Sequence, residues 1–144
     1  MTAGQTAVFD AALAGRPARL IGDDRRILAV ASQRWLAPAD SEDGWLLDRC
    51  TGPTVDLGCG PGRLVAELAG RGVAALGVDH SHCAVRQCHS RGVLVLRRDV
   101  FAPLPGERRW HHVLLADGNI GIGGDPARLL RRAAASRWHY AGRS

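Results

Sequence analysis

Two kinds of residue in this sequence could do chemistry: carboxylates that follow apolar runs, and glycines beside the first of them. Val55-Asp56-Leu57-Gly58-Cys59-Gly60-Pro61-Gly62 sets an acid and three alternate glycines after an apolar segment and before a helical one. Glycine has no Cβ, so it takes positive φ readily and lets a ligand approach the backbone. Pro61 reads as the first residue of the following helix, where its missing N–H leaves no bond unmade. Leu64, Val65, Leu68 and Ala69 then share one face of that helix. Strand, tight loop and helix together make a nucleotide-cradling turn. Further acids end later apolar runs: Asp79 after Leu76-Gly77-Val78, Asp99 after Val93 to Leu96, and Asp117 after His112 to Ala116. Asp79 lies about twenty residues past the first glycine, the place of a carboxylate that accepts from ribose hydroxyls.

Spacing separates the possible nucleotides. A dinucleotide fingerprint G-x-G-x-x-G needs glycine where this sequence has Arg63. A phosphate loop needs a lysine after its last glycine, and all nineteen basic residues here are arginine. What remains, D-x-G-x-G-x-G from Asp56 to Gly62, resembles motif I of the class I S-adenosylmethionine (SAM)-dependent methyltransferases. Leu76 to Ser81, Arg97 to Phe101 and His112 to Asn119 resemble that family's later strand ends in the same order.

The resemblance implies SAM as cofactor, a methyl transfer, and a small molecule as acceptor. It implies a cofactor site built from Asp56, Gly58, Cys59, Gly60, Gly62, Asp79, His80, Asp99, Val100, Asp117, Gly118 and Asn119. The three glycines would let the backbone approach ribose and methionine, and Asp56 would face the cofactor's ammonium or orient the loop. Asp79 would take the ribose hydroxyls unless it only caps the next helix. Asp99, beside the Val100 amide, would accept from the adenine amino group unless it is a plain turn aspartate. Asp117, Gly118 and Asn119 would border the reacting methyl or form an ordinary Asx turn, and Asp117 is the candidate general base. A solvent-exposed Arg63 is as good a reading as a functional one.

Other classes are weighed against the same residues. His80, His82, Cys83, Cys88 and His89 offer five potential ligands in ten positions. Cys83 and Cys88 would lie about 140° apart around a helix, and no C-x-x-C pair occurs, so no metal is expected. A net charge of +5 suggests an acidic partner, but the arginines are dispersed without interleaved aromatics, which argues against nucleic acid. No apolar run reaches membrane-spanning length, and the start lacks a basic n-region, so a cytoplasmic protein is expected. Four scattered cysteines fit a reducing compartment.

The elements that must position these residues follow from hydrophobic period. At 144 residues, 46% hydrophobic and 23% charged, a globular domain with one core is expected. Strands are expected at 54–57, 73–78, 93–97 and 112–116, with helices at 61–70, 81–91 and 126–135. That alternation predicts an α/β Rossmann-like parallel sheet in the order 3-2-1-4, flanked by helices, with the ligand at the carboxyl ends of the strands. Residues 1–50 are read as an N-terminal extension that covers the acceptor site: a helix at 5–15, a hairpin of 18–21 and 27–31 turning through Gly22-Asp23-Asp24, a loop at 36–41, and a helix capped by Asp40 or Ser41 that carries Trp45, Leu46 and Leu47. Residues 51–135 form the SAM-binding core and 136–144 an irregular tail. The family's usual C-terminal strands have no counterpart, so the chain reads as C-terminally truncated. Other accounts are a homodimer that covers the exposed edge of the sheet, or a reduced SAM-binding module without activity.

Overall fold

The computed structural model describes residues 3–21, 24–29, 32–117 and 119–137. The expected hairpin turn at Gly22-Asp23, the residues Val30 and Ala31, Gly118 and the tail from Trp138 lie outside them. The chain begins with α1 (Ala3–Leu13) and an antiparallel pair, β1 (Arg19–Ile21) with β2 (Ile27–Ala29), in which Arg19 faces Ala29. A short α2 (Ser32–Leu36) follows, then a 3₁₀ turn (Ser41–Asp43) and α3 (Gly44–Leu47). Asp40 caps that turn reciprocally: its carboxylate accepts from the Glu42 amide at 2.9 Å, and its own amide donates to Asp43 Oδ2 at 2.9 Å.

The remaining elements alternate: β3 (Thr54–Leu57), α4 (Arg63–Gly70), β4 (Ala75–Asp79), α5 (His82–Ser90), β5 (Val95–Arg97), β6 (His112–Leu114) and α6 (Pro126–Ser136), with a 3₁₀ stretch (Asn119–Gly124) before α6. The four strands pair in parallel in the order β5-β4-β3-β6, which is the expected 3-2-1-4. Connections run outward from β3 through β4 to β5, then return to β6 on the other side. The crevice at the carboxyl ends of β3 and β6 is therefore the place for a ligand.

Every residue of β3 is buried, because helices cover both faces of the sheet. Leu47, Leu64, Val65, Leu68 and Cys88 pack on one face; Val55, Leu57, Val78, Val100 and Leu129 pack on the other. Each such aliphatic side chain contributes about 1.5–3 kcal/mol by leaving water. Truncating fully buried Leu57 to alanine would forfeit about 2–5 kcal/mol and slacken the strand that delivers the glycine loop.

Helix boundaries depart from expectation where backbone angles decide. Gly62 has φ 83°, outside the helical region, so α4 starts at Arg63 and Pro61 belongs to the loop. Ser81 caps α5 by accepting from the Ala84 amide at 3.1 Å, and Asp125 caps α6 by accepting from Arg128 at 3.0 Å. Strand β6 stops at Leu114, two residues short of the expected end. Among the described residues no strand pairs with its outer edge; α6 ends there, where Arg137 forms a single parallel bridge to Trp110.

Candidate functional site

Gly58, Gly60 and Gly62 all take positive φ, at 75°, 54° and 83°, as the alternate spacing anticipated. The loop is fixed to β4: the Gly58 and Cys59 amides donate to the Val78 carbonyl at 2.7 and 3.1 Å, and the Gly60 amide donates to Asp79 Oδ2 at 2.9 Å. The three glycines serve different contacts. A Cβ on Gly58 would come within 2.8 Å of the Asn119 amide nitrogen, and one on Gly62 within 2.8 Å of Cys88 Sγ and 2.9 Å of a Val93 methyl. At Gly60 it would meet nothing within 4 Å. Gly62 is thus an interior packing position and not a cavity wall, whereas Gly58 and Gly60 line the cavity.

Cys59 also borders the cavity, but its sulfur turns inward to 3.9 Å from Cys88 Sγ, and a Cβ on Gly77 would lie 2.6 Å from it. The hydrogen bond with Cys88, burial and the nearby Asp56 carboxyl push its thiol well above the ordinary range, so it is no nucleophile.

The cavity, about 840 Å³, opens over the carboxyl ends of β3, β4 and β6. On the β4 side Asp79 accepts from the amides of Gly60 and Ser81, both at 2.9 Å, and keeps further lone pairs for a ligand. Exposed His80 stands beside it. Ser81 Oγ donates to Asp10 Oδ1 at 2.6 Å, which ties α1 to this corner. Asp99 Oδ1 accepts from the Phe101 amide at 2.9 Å, so Asp99 forms a turn and lines the cavity at once. Val100 is a buried wall residue whose carbonyl accepts from Arg132 Nε at 2.9 Å. Asn119 braces the cradle by donating from Nδ2 to the carbonyls of Leu57 and Gly58, at 3.0 and 2.7 Å. Phe9, Leu13 and Trp35 close the cavity from the N-terminal segment, with the two rings 5.8 Å apart.

Charge at the β3–β6 end is organised by a residue whose burial the sequence did not reveal. Arg63 is 3% exposed and grips two carboxylates. Its Nη1 and Nη2 donate to Asp43 at 2.5 and 3.0 Å, and its Nη2 and Nε donate to Asp117 at 2.9 and 3.3 Å. Arg34 adds a second contact to each acid, 3.0 Å to Asp43 and 3.6 Å to Asp117. The Arg63 bond holds Asp43 down at about 2. Asp117, the sequence's candidate base, therefore sits in an ion pair, at φ 54°. Asp56 has the opposite surroundings. Burial, then the Asp117 and Asp79 charges, push it up to about 7, and its Oδ1 is buried without a hydrogen-bond partner among the described residues. Among the described residues no cluster of three or more metal-ligating side chains occurs, and no helix is long and apolar enough to cross a membrane.

The fold of this chain recurs in known structures. A SAM-dependent methyltransferase from Bacteroides fragilis, solved with S-adenosyl-L-homocysteine, matches with a TM-score of 0.74 at 18% identity, over 95% of this chain and 60% of that one. This is the class I methyltransferase fold. A SAM-dependent methyltransferase from Archaeoglobus fulgidus matches 69% of this chain and 47% of its own length, with 18% identity and a TM-score of 0.59. A protein described by the conversion of a disulfide bond into a thioacetal group during echinomycin biosynthesis matches 94% of this chain and 55% of its own, at 24% identity and TM-score 0.62. This chain therefore spans 47–60% of the length of these structures. The family model for methionine biosynthesis protein MetW matches residues 48–118, from α3's end through the loop after β6. No curated protein matches in sequence.

Sequence reasoning located the acids and glycines at the strand ends but missed Phe9, Arg34, Trp35, Asp43 and the burial of Arg63. The only signal for the last was position: a residue opening a helix directly beneath a ligand loop cannot easily reach solvent.

Proposed function

We propose that this chain binds SAM and transfers its methyl group to a small acceptor. The observation that carries the reading is the orphaned Asp56 oxygen, on a residue that lines a cavity also bordered by the open face of Gly60. An unpaired buried carboxyl is costly to keep, so a site that retains one is matched to a ligand that brings a donor. The cofactor's ammonium is such a donor, and the residues present fit it. Asp79 would hold the ribose, Asp99 and Val100 the adenine, and Asn119 would keep the Gly58 turn in shape.

Bound SAM supplies a methyl group already activated on a sulfonium, and transfer is an in-line displacement. What the chain adds is orientation, worth on the order of 7–11 kcal/mol when two reactants are well aligned. Phe9, Leu13 and Trp35 would exclude water and shape an acceptor space whose apolar walls suit a small molecule. Asp117 would border the reacting end as a fixed charge and not as a proton acceptor, because Arg63 occupies its carboxylate. Leu130, 52% exposed near the open edge of β6, suits a second copy of the chain, which light scattering would register as a dimer.

Calorimetry with S-adenosylhomocysteine tests the cofactor reading. Folded wild-type protein binds it, and Asp79→Ala weakens binding by about 1.5–3 kcal/mol, the usual worth of a hydrogen bond to a charged group. A folded wild-type protein that does not bind would overturn the proposal.

A further inference from the structure

Arg63 is the most thoroughly satisfied buried charge in the cavity wall, and the cofactor reading gives it no contact with ligand. It is the first residue of α4, directly after the glycine loop. One face of its guanidinium meets Asp43, from the 3₁₀ turn of the N-terminal segment; the other meets Asp117, from the loop after β6. Arg34, which joins both acids, precedes Trp35 of the cavity cover. The four side chains thus link the floor, the far wall and the cover at one point, with two charges of each sign. Asp117 needs holding: φ 54° is a left-handed conformation that a non-glycine residue keeps only where its surroundings impose it.

We propose that Arg63 is the positioning residue of the cofactor site: it clamps Asp117 and Asp43 together around the reacting end of the cavity and so leaves Asp56, not Asp117, to meet the cofactor's cation. The inference rests on the cofactor reading and adds a division of labour to it. Asp117 stays engaged by Arg63; Asp56 stays unpaired until a cation arrives. The groups whose charge reaches Asp56 are Asp117 and Asp79, which disfavour its ionisation, and Arg63, which favours it; the buried thiols Cys50, Cys59 and Cys88 also feel its charge. Binding of a cation by Asp56 requires the ionised carboxylate, so affinity falls as pH drops through about 7.

The test measures S-adenosylhomocysteine binding from pH 5.5 to 8.5 for wild type, Arg63→Lys, Arg63→Met and Asp117→Asn, with circular dichroism and thermal midpoints alongside. A lysine keeps the charge but cannot fork to two carboxylates. The expected result is an Arg63→Lys protein that folds and binds at least about tenfold more weakly at pH 8. Asp117→Asn, whose single amide oxygen still accepts from Arg63, binds more weakly than wild type at pH 8 but measurably, and its pH midpoint moves below that of wild type because one neighbouring negative charge is gone. Arg63→Met, if it folds, moves the midpoint upward. A folded Arg63→Lys with wild-type affinity overturns the positioning role. Loss of binding by Asp117→Asn at every pH makes Asp117 the cation's partner and overturns the division of labour. If Arg63→Lys fails to fold, the Asp117→Asn midpoint decides: no shift overturns the proposal. Failure of wild type to bind is a different result and sinks the cofactor reading itself.

Discussion

Asp43 and Asp56 are alike in solvent exposure, at 4% and 3%, and both feel the charge of Arg63. Their surroundings act in opposite senses. Asp43 accepts three guanidinium hydrogen bonds, two from Arg63 and one from Arg34, and a fourth from the Asp40 amide, and sits near 2; Asp56 has an oxygen with nothing to accept and sits near 7. The difference lies in satisfaction as well as in depth: burial is the largest push on Asp56, whereas the Arg63 hydrogen bond is the largest pull on Asp43. A buried acid with all its partners is part of the scaffold, whereas one without them marks where the scaffold expects something from outside.

Removing the satisfied acid should have the largest effect. Asp43→Ala leaves the buried Arg63 with Asp117 as its remaining carboxylate and two of its donors' bonds unmade, and chemical denaturation should show a loss of about 3–5 kcal/mol. A loss under about 1 kcal/mol would mean that the two acids are not different in kind. Because Asp43 is depressed in the fold, its contribution is present above about pH 4 and is lost as pH falls through 2. Asp56→Asn should do the reverse. With a folded value near 7 against 3.8 unfolded, the Asp56 carboxyl favours the fold below pH 4, and that advantage disappears as pH rises to 7. Free Asp56→Asn protein should therefore gain up to about 4 kcal/mol at pH 8 and almost nothing at pH 4, while losing cofactor binding. Equal stability of variant and wild type at both pH values would break the comparison.

The glycines sharpen it at smaller scale. Gly62→Ala must displace Cys88 and Val93 as well as strain its backbone, so a thermal melt should show about 2–4 kcal/mol of destabilisation. Gly60→Ala meets no neighbour and should cost only the strain, about 1–2 kcal/mol, yet its methyl group stands at the cavity and should weaken binding more than Gly62→Ala does.

Much of this was legible in the sequence because strand ends and loops announce themselves. Asp56, Asp79, Asp99 and Asp117 each follow a short apolar run, and alternation of period announced parallel strands, while the order 3-2-1-4 came from the doubly wound fold that the chain resembles. Arg63 was not legible. An arginine after a loop normally reads as solvated, and its burial depends on Asp43, 20 residues earlier, and Asp117, 54 residues later. The different tasks of Gly60 and Gly62 were hidden for the same reason, since only the approach of α5 and the segment before β5 distinguishes them. α2, five residues long, carries too little periodicity to register.

The glycine loop has a kinetic meaning as well. Its amides are already bonded to Val78 and Asp79, and its three left-handed residues are already set. Ordering a residue costs about 1–2 kcal/mol, and here folding meets that cost before any ligand arrives. A nucleoside bound as proposed would meet a preset template, and its rate of association would be set by passage beneath Phe9 and Trp35 rather than by rearrangement of the cradle.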